Sequence, residues 1–299
     1  MTSHVFIVGL PRTGSTLTRG MVNASPSAWV AGESNFFSKP TRLGLVRKEG
    51  YAARFARLGD LRTDDALHRI VADIYSLRSK SFWARLQERI DASTFERRLM
   101  DTDRTPRALL DLAMEVFADG RRIRGEKTPH HIFHVPTLLD WFPDARIIHT
   151  FRDPRAVYVS LRHKERGERL SLAGRAARRL GGWYDVYAIL NLARTWTQMA
   201  SLHRAYERRY PDRYALVRFE DLVRSPQATA EQLAGHLGVP YQQAMLDQVV
   251  HNSSFMGKGA AAGIDPTVVD RWREVLPVRT ANRIARLCSA DLRYFGYEA

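Results

Sequence analysis

The sequence predicts an α/β fold, a three-layer sandwich with a central parallel sheet and helical insertions. Two observations predict it. Short apolar runs recur without polar alternation, as expected of strands buried on both faces of a parallel sheet. Each is followed by a polar or helical segment, the βα alternation of a doubly wound sheet. The first run is Val5-Phe6-Ile7-Val8, broken by residues 9–14 and followed by helical potential over 15–22. Similar runs lie at 29–31, 146–151 and 214–219. Residues 51–120 carry Leu67, Ile70, Val71 and Ile74 at i, i+3, i+4 and i+7 among many Arg and Asp, which reads as a helical insertion between early strands. The pair Gly181-Gly182 precedes a long helix over 183–209, closed by Tyr210-Pro211-Asp212. A further helix over 221–237 is ended by Gly238 and Pro240. No repeat, low-complexity tract or proline-rich linker interrupts the chain, which predicts one domain over 1–299.

The 299 residues carry 46 Lys and Arg against 32 Asp and Glu, a formal charge of +14, and are 44% hydrophobic and 26% charged. That balance excludes global disorder and allows a sizeable core. It also points to an anionic partner, which charge alone does not identify. No zinc-finger, RNP or helix-turn-helix signature accompanies the charge, so nucleic acid is not the expected partner. The basic residues are dispersed except over 162–179, where seven Lys or Arg face two Glu. This glycine-punctuated stretch is expected to be a lid, a surface for an acidic acceptor, or a solvated helix face. The single cysteine, Cys288, cannot form an intramolecular disulfide, and the apolar run at 5–10 is too short for a signal peptide. A reducing, cytoplasmic location is expected. No stretch approaches the roughly 18 apolar residues that span a bilayer, so any membrane contact is expected to be peripheral.

Residues 9–16, Gly-Leu-Pro-Arg-Thr-Gly-Ser-Thr, have the spacing of a P-loop, G-x-x-x-x-G-K-[ST], with Ser15 in the lysine position. In such a loop backbone N–H groups wrap a phosphate at a helix N-terminus, where about half a positive charge resides. The predicted sandwich is therefore P-loop NTPase-like. The lysine that reaches a γ-phosphate is missing, and no clear strand ends in the Asp that would hold magnesium. Arg12 can supply the cation instead. The loop suits a phosphate that carries something other than a γ-phosphoryl group.

At this point the sequence resembles a known family. Pro11-Arg12-Thr13-Gly14-Ser15-Thr16 is similar to the 5′-phosphosulfate loop, P-[KR]-[ST]-G-[ST]-[ST], of the sulfotransferases that use 3′-phosphoadenosine 5′-phosphosulfate (PAPS). Their second hallmark, a strand followed by Arg and, eight residues on, Ser, is matched by residues 147–160 with Arg152 and Ser160. The resemblance implies that Arg12, Thr13, Gly14, Ser15 and Thr16 hold the 5′-phosphate and that Arg152 and Ser160 hold the 3′-phosphate. An Arg at a strand end and a hydroxyl two helical turns on can also converge on one phosphate by geometry alone. Arg218-Phe219-Glu220-Asp221-Leu222 is similar to a segment after a core strand in these enzymes, with a structural role. Gly257-Lys258-Gly259 resembles the segment that closes over the nucleotide, here about 251–275, which implies Lys258 and Gly259 near the 3′-phosphate. Gly125-Glu126-Lys127-Thr128-Pro129 is like the K-x-P element of the carbohydrate and tyrosylprotein branches, which implies that Lys127, following a strand end at Arg122-Ile123-Arg124, faces the sulfuryl group. The resemblance covers nearly the whole chain in motif order and is closer to the tyrosylprotein and bacterial branches than to the phenol and steroid branch.

It implies a transferase that moves the sulfuryl group from PAPS to an acceptor hydroxyl of a small molecule or peptide, releases PAP and needs no metal. A base must take the hydroxyl proton. Glu33, in Gly32-Glu33-Ser34 after the second strand, is the first candidate and His130 the second, with Glu126 also open; geometry ranks before pKa in that choice. His130 and His134 stand at i, i+4, a zinc-compatible spacing without an evident third ligand, and no metal site is expected. Aromatic residues over 183–196 read as core packing or, for one of them, adenine stacking. Two other readings remain at this stage. One is a nucleotide-dependent kinase or NTPase using the same cradle, and the other a basic nucleic-acid-binding protein.

Overall fold

The computed structural model describes residues 3–39, 49–167, 182–247, 249–250, 261–262 and 266–298. Its centre is β1 (Ser3–Gly9), followed by α1 (Ser15–Asn23) and β2 (Ala28–Ala31). Four helices come next: α2 (Tyr51–Ala56), α3 (Asp64–Ser76), α4 (Ala92–Met100) and α5 (Pro106–Ala118). The side chains of Thr63, Asp91 and Thr105 accept backbone N–H bonds at the starts of the last three, and Pro106 opens α5. The chain then forms β3 (Ile123–Lys127), a 3₁₀ segment (Pro129–His134), α6 (Val135–Trp141), β4 (Arg146–Phe151), α7 (Pro154–Gly167) and α8 (Gly182–Arg209). Last come β5 (Tyr214–Arg218), α9 (Phe219–Arg224), α10 (Pro226–Leu237), α11 (Trp272–Val275) and α12 (Val278–Tyr294).

The five strands are all parallel in the order β2-β3-β1-β4-β5. Strand β1 explains why its apolar residues do not alternate. Phe6 and Val8 pack into the core formed with α3, α5, α8 and α12, whereas Val5 and Ile7 pack into the opposite core with α1, α9 and α10. Ile147 and Ile148 of β4 divide in the same way. Two cores on two faces of one parallel sheet make the three-layer, P-loop NTPase-like sandwich that the sequence predicts.

Three local expectations are corrected. The helix expected over 221–237 is two helices, because Pro226 lacks a donor and disfavours helical backbone at Ser225, which sits at φ −135°, ψ 63°. The run at 214–219 gives up Phe219 to α9. Arg122-Ile123-Arg124 starts a strand rather than ending one, and the strand continues through Gly125 to Lys127. Lys258 and Gly259, most of the expected closing segment at 251–275, and residues 168–179 of the basic stretch lie outside the described residues.

Candidate active site

Apart from Ser160, which lies in α7, every candidate side chain in the described residues stands at or just beyond the carboxyl end of a parallel strand, where ligands bind in such sheets. The P-loop connects β1 to α1. Gly9, Arg12 and Gly14 have φ of +137°, +76° and +89°, so the loop curls through three left-handed positions, one of them occupied by a side-chain-bearing residue. A Cβ on Gly14 would stand 2.6 Å from Cδ2 of Phe219, the first residue of α9, so that ring backs the loop. The Thr13 hydroxyl donates to Leu10 O at 2.6 Å and shares a 2.8 Å hydrogen bond with Thr150 Oγ1. Thr13 is thus turned inward and shapes the loop, whereas Thr16 is exposed and Ser15 opens α1. Gly14 provides no side-chain cap for the helix, which leaves its first amides directed at the loop's concavity.

Behind the loop, Arg12, Ser160 and Arg152 are brought together. Arg12 Nε donates to Ser160 Oγ at 2.8 Å, across from β1 to α7. Arg152, directly after β4, donates weakly to the carbonyls of Arg12 and Val268 at 3.4 and 3.3 Å. Its Nε is buried without a partner, and its guanidinium lies 3.8 Å above the Phe219 ring. Burial pushes the Arg152 pKa down to about 10; Glu220 opposes the shift and Arg12 adds to it. The Arg12 charge is close enough to act on Arg152, whose Nε has no partner, and an anion would relieve both.

The loop carrying Arg152 is fixed from three sides. Trp196 Nε1 donates to Arg152 O at 2.8 Å, the Asp153 amide donates to Glu220 Oε1 at 3.0 Å, and Tyr297 donates to Glu220 Oε2 at 2.9 Å. The segment 218–222 therefore has the mechanical role its sequence suggested: Phe219 supports both the P-loop and Arg152, and Glu220 ties down the strand end. Trp196 is core, as read. Trp183 is not: it is 80% exposed.

On the other side of β1, Lys127 ends β3 in register with Ile7. Its Nζ donates to Glu33 Oε1 at 2.6 Å, and the Lys127 side chain is 9% exposed against 45% for Glu33. The two residues singled out for chemistry are thus partners. Neither motif announces that contact. Arg19 of α1, also missed, lies near Gly32; its pKa is lowered by burial first and by Arg85, with Glu33 pulling the other way.

The third candidate, Glu126, is excluded as a base by burial. Its carboxylate is fully enclosed and accepts from the Ser34 amide, Thr128 Oγ1 and His131 Nδ1. Burial raises its pKa, but His131, Thr128 and Ser34 outweigh that and hold it below the ordinary value. His131 Nε2 accepts from the Phe37 amide at 3.2 Å, which puts the ring's proton on Nδ1. The resulting Glu126–His131 unit holds the 34–37 segment beside Glu33. His130 donates from Nε2 to Phe37 O at 3.1 Å, and burial pushes its pKa down to about 4, so the ring is neutral near pH 7 with Nδ1 as its lone-pair nitrogen. His134 is instead turned to Ser38 O, so the two rings are anchored on separate carbonyls. Among the described residues no three His, Cys, Asp or Glu cluster as metal ligands.

A cavity of about 120 Å³ lies beside the first half of the loop. Gly9, Leu10, Pro11, Lys39, His130 and Phe133 line it together with residues of α7 and α8. The α8 positions that face it, Tyr184, Tyr187, Ala188, Asn191, Leu192, Thr195 and Met199, follow helical spacing. Two of the aromatic residues expected in the core therefore line this cavity.

A model described as the sulfotransferase family matches residues 4–243. Over 183 residues the chain is 31% identical to carbohydrate sulfotransferase 5 of Mus musculus, covering 55% of this chain and 44% of the relative. Over 140 residues it is 27% identical to the omega-hydroxy-beta-dihydromenaquinone-9 sulfotransferase Stf3 of Mycobacterium bovis, covering 44% of this chain and 33% of the relative. The chain thus spans less than half the length of these curated relatives. Among solved structures, the sulfotransferase domain of the Synechococcus PCC 7002 olefin synthase aligns with a TM-score of 0.58 at 21% identity, over 100% of this chain and 96% of that one. A sulfotransferase domain from the curacin biosynthetic pathway aligns with the same TM-score at 19% identity, over 100% and 99%. Those two likenesses speak to the fold. The family match takes in all five strands of the parallel sheet, and on that ground the chain belongs to the sulfotransferase family.

Proposed function

We propose that this chain transfers the sulfuryl group of PAPS to an acceptor hydroxyl. The observation that carries the reading is the buried Arg152, with Nε unpartnered, set against Arg12 and Ser160 behind a phosphate loop. One loop for a 5′-phosphate and a second cationic niche for a 3′-phosphate suit a 3′,5′-bisphosphorylated nucleotide and have no use in a nucleoside triphosphate. Arg12, Gly14, Ser15 and Thr16 hold the 5′ side; Arg152 and Ser160, with Lys258 and Gly259, hold the 3′ side. Thr13 acts by shaping the loop. Bound there, PAPS supplies a sulfuryl group on a phosphate leaving group. The acceptor oxygen gains the sulfur as the bond to the phosphate oxygen breaks, Glu33 takes the hydroxyl proton, and Lys127 and the loop donors stabilise the departing phosphate. His130 is the second candidate for the proton. No residue is asked to bind a metal. The acceptor is a small molecule or a peptide. A cytoplasmic setting rests on composition, with one buried, unbridged cysteine, Cys288.

Calorimetry tests the nucleotide assignment. PAP should bind at least tenfold more tightly than AMP, and ATP with magnesium should gain nothing over AMP. Arg152→Ala should lose charge-assisted bonds of roughly 1.5–3 kcal/mol, about ten- to a hundredfold in PAP affinity, and Ser160→Ala less. Equal affinity of the unmodified protein for PAP and AMP would remove the basis of the reading.

A further inference from the structure

We infer that the acceptor carries its hydroxyl on an apolar body, a single aromatic ring or a slim alkyl segment, seated in the cavity between α7 and α8. The inference rests on the sulfuryl-transfer reading above and names the class of molecule that the site receives.

Location comes first. Gly9, Leu10 and Pro11 of the phosphate loop and His130 line the cavity, so a molecule lodged in it touches the loop. Phe133, Leu161, Ala188, Leu192 and Met199 make its walls mostly carbon, although Lys39 also lines the cavity. Of the polar groups that line it, Thr195 donates to Asn191 O at 2.7 Å, Arg162 is paired with Asp185 at 2.6 Å and Nε2 of His130 is used on Phe37 O, while the Asn191 amide and the Tyr187 hydroxyl belong to the α8 wall. Of the two candidate bases it is His130, not Glu33, that lines this cavity, and its neutral ring keeps Nδ1 as an acceptor, so an alcohol seated here favours His130 for the proton. The lining is thus mainly carbon with a few polar groups, which suits a molecule that is apolar over most of its surface and carries one hydroxyl.

Size narrows the class. An apolar cavity of about 150 Å³ accommodates benzene, so the 120 Å³ here is on the scale of one ring or a few methylenes. A pyranose has a similar girth but hydroxyls all round. Each one buried against Phe133, Leu161, Leu192 or Met199 would lose its water without a new partner, costing roughly ten- to a hundredfold in binding. The slot therefore discriminates against sugars by chemistry rather than by volume.

The experiment has two arms. In the first, the PAP-loaded protein is titrated with benzyl alcohol, 1-hexanol and N-acetylglucosamine under ligand-observed NMR, and PAPS turnover is followed with each. Benzyl alcohol and 1-hexanol should bind and should exceed the sugar in kcat/KM by about a hundredfold. In the second, Ala188→Trp and Leu161→Trp fill the slot from opposite walls. Each should lower kcat/KM for both apolar alcohols more than tenfold and leave PAP affinity within twofold, which also shows that the variant is folded. Preferential use of N-acetylglucosamine, no binding of either apolar alcohol, or filled variants as active as the parent would overturn the inference. Failure to bind PAP would instead strike the nucleotide assignment, and the alcohol titration would still report on the slot.

Discussion

The ion pair between Lys127 and Glu33 joins the two groups assigned to opposite ends of the reaction. A carboxylate bound to an ammonium at 2.6 Å holds both side chains in one arrangement. Glu33→Gln should preserve PAP affinity and lower turnover by roughly 10²–10⁴, the range for loss of a general base. Lys127→Ala should also depress turnover more than binding, because it acts on charge that develops at the leaving oxygen. Initial rates with acceptors of graded acidity separate the two. A largely ionised acceptor should restore much of the Glu33→Gln activity and little of the Lys127→Ala activity. Selective rescue in His130→Ala would move the base to that ring. Sequence spacing exposes each of these residues through its own short motif, G-E after one strand and K-x-P after another. It does not expose their contact, which spans 94 positions and exists because β2 and β3 are neighbours in the sheet. The inward turn of Thr13 is hidden for the same reason, since its partner Thr150 belongs to β4.

At the level of elements, glycines separate what a motif says from what packing requires. Gly125 reads as the first letter of a catalytic motif. In the fold it is a mid-strand position where a Cβ would stand 1.8 Å from Val5 O, between two paired strands with nowhere to move. Gly125→Ala should therefore destabilise by about 1–3 kcal/mol or more through forced separation of β1 and β3. Gly235, inside α10, is the opposite case: a Cβ there meets nothing within 4 Å. Gly235→Ala should stabilise by about 0.5–1 kcal/mol by restricting the unfolded chain and improving helix propensity. Denaturant midpoints of the two variants against the parent decide this, and an unchanged midpoint for Gly125→Ala would show that the strands can part freely. Apolar runs reveal the strands themselves because burial on both faces leaves no ambiguity of period. Their order is less legible, as is the break at Ser225-Pro226, where helical composition continues across a residue that cannot join the ladder.

Across the whole molecule, several imidazoles are enclosed in different layers. Burial pushes His130 and His236 down to about 4, and His149 well below its ordinary value. His149 lies between β4 and α8 with Nδ1 against the Tyr214 hydroxyl at 2.6 Å, while His236 of α10 is hydrogen-bonded to Ile147 O at 3.2 Å. Unfolding returns each ring to a pKa near 6.5. Below that value the unfolded chain binds protons that the folded chain refuses, so stability is complete above about pH 6.5 and falls as pH drops toward 4. By pH 5 His130 and His236 should each cost about 1–2 kcal/mol. Burial raises the Glu220 carboxyl, which works the other way, because the folded state takes that proton first. The lowered carboxyls Asp111 and Glu126 add losses only at still lower pH, below the ordinary carboxylate range. The histidines therefore dominate the window from 6.5 to 4, and thermal midpoints should drop by several degrees between pH 7.5 and 5. His236→Gln, whose amide can keep the bond to Ile147 O, should flatten that profile by one group's share. A midpoint that holds or rises on acidification would mean that these rings gain charge inside the fold, and the packing described around them would have to be wrong.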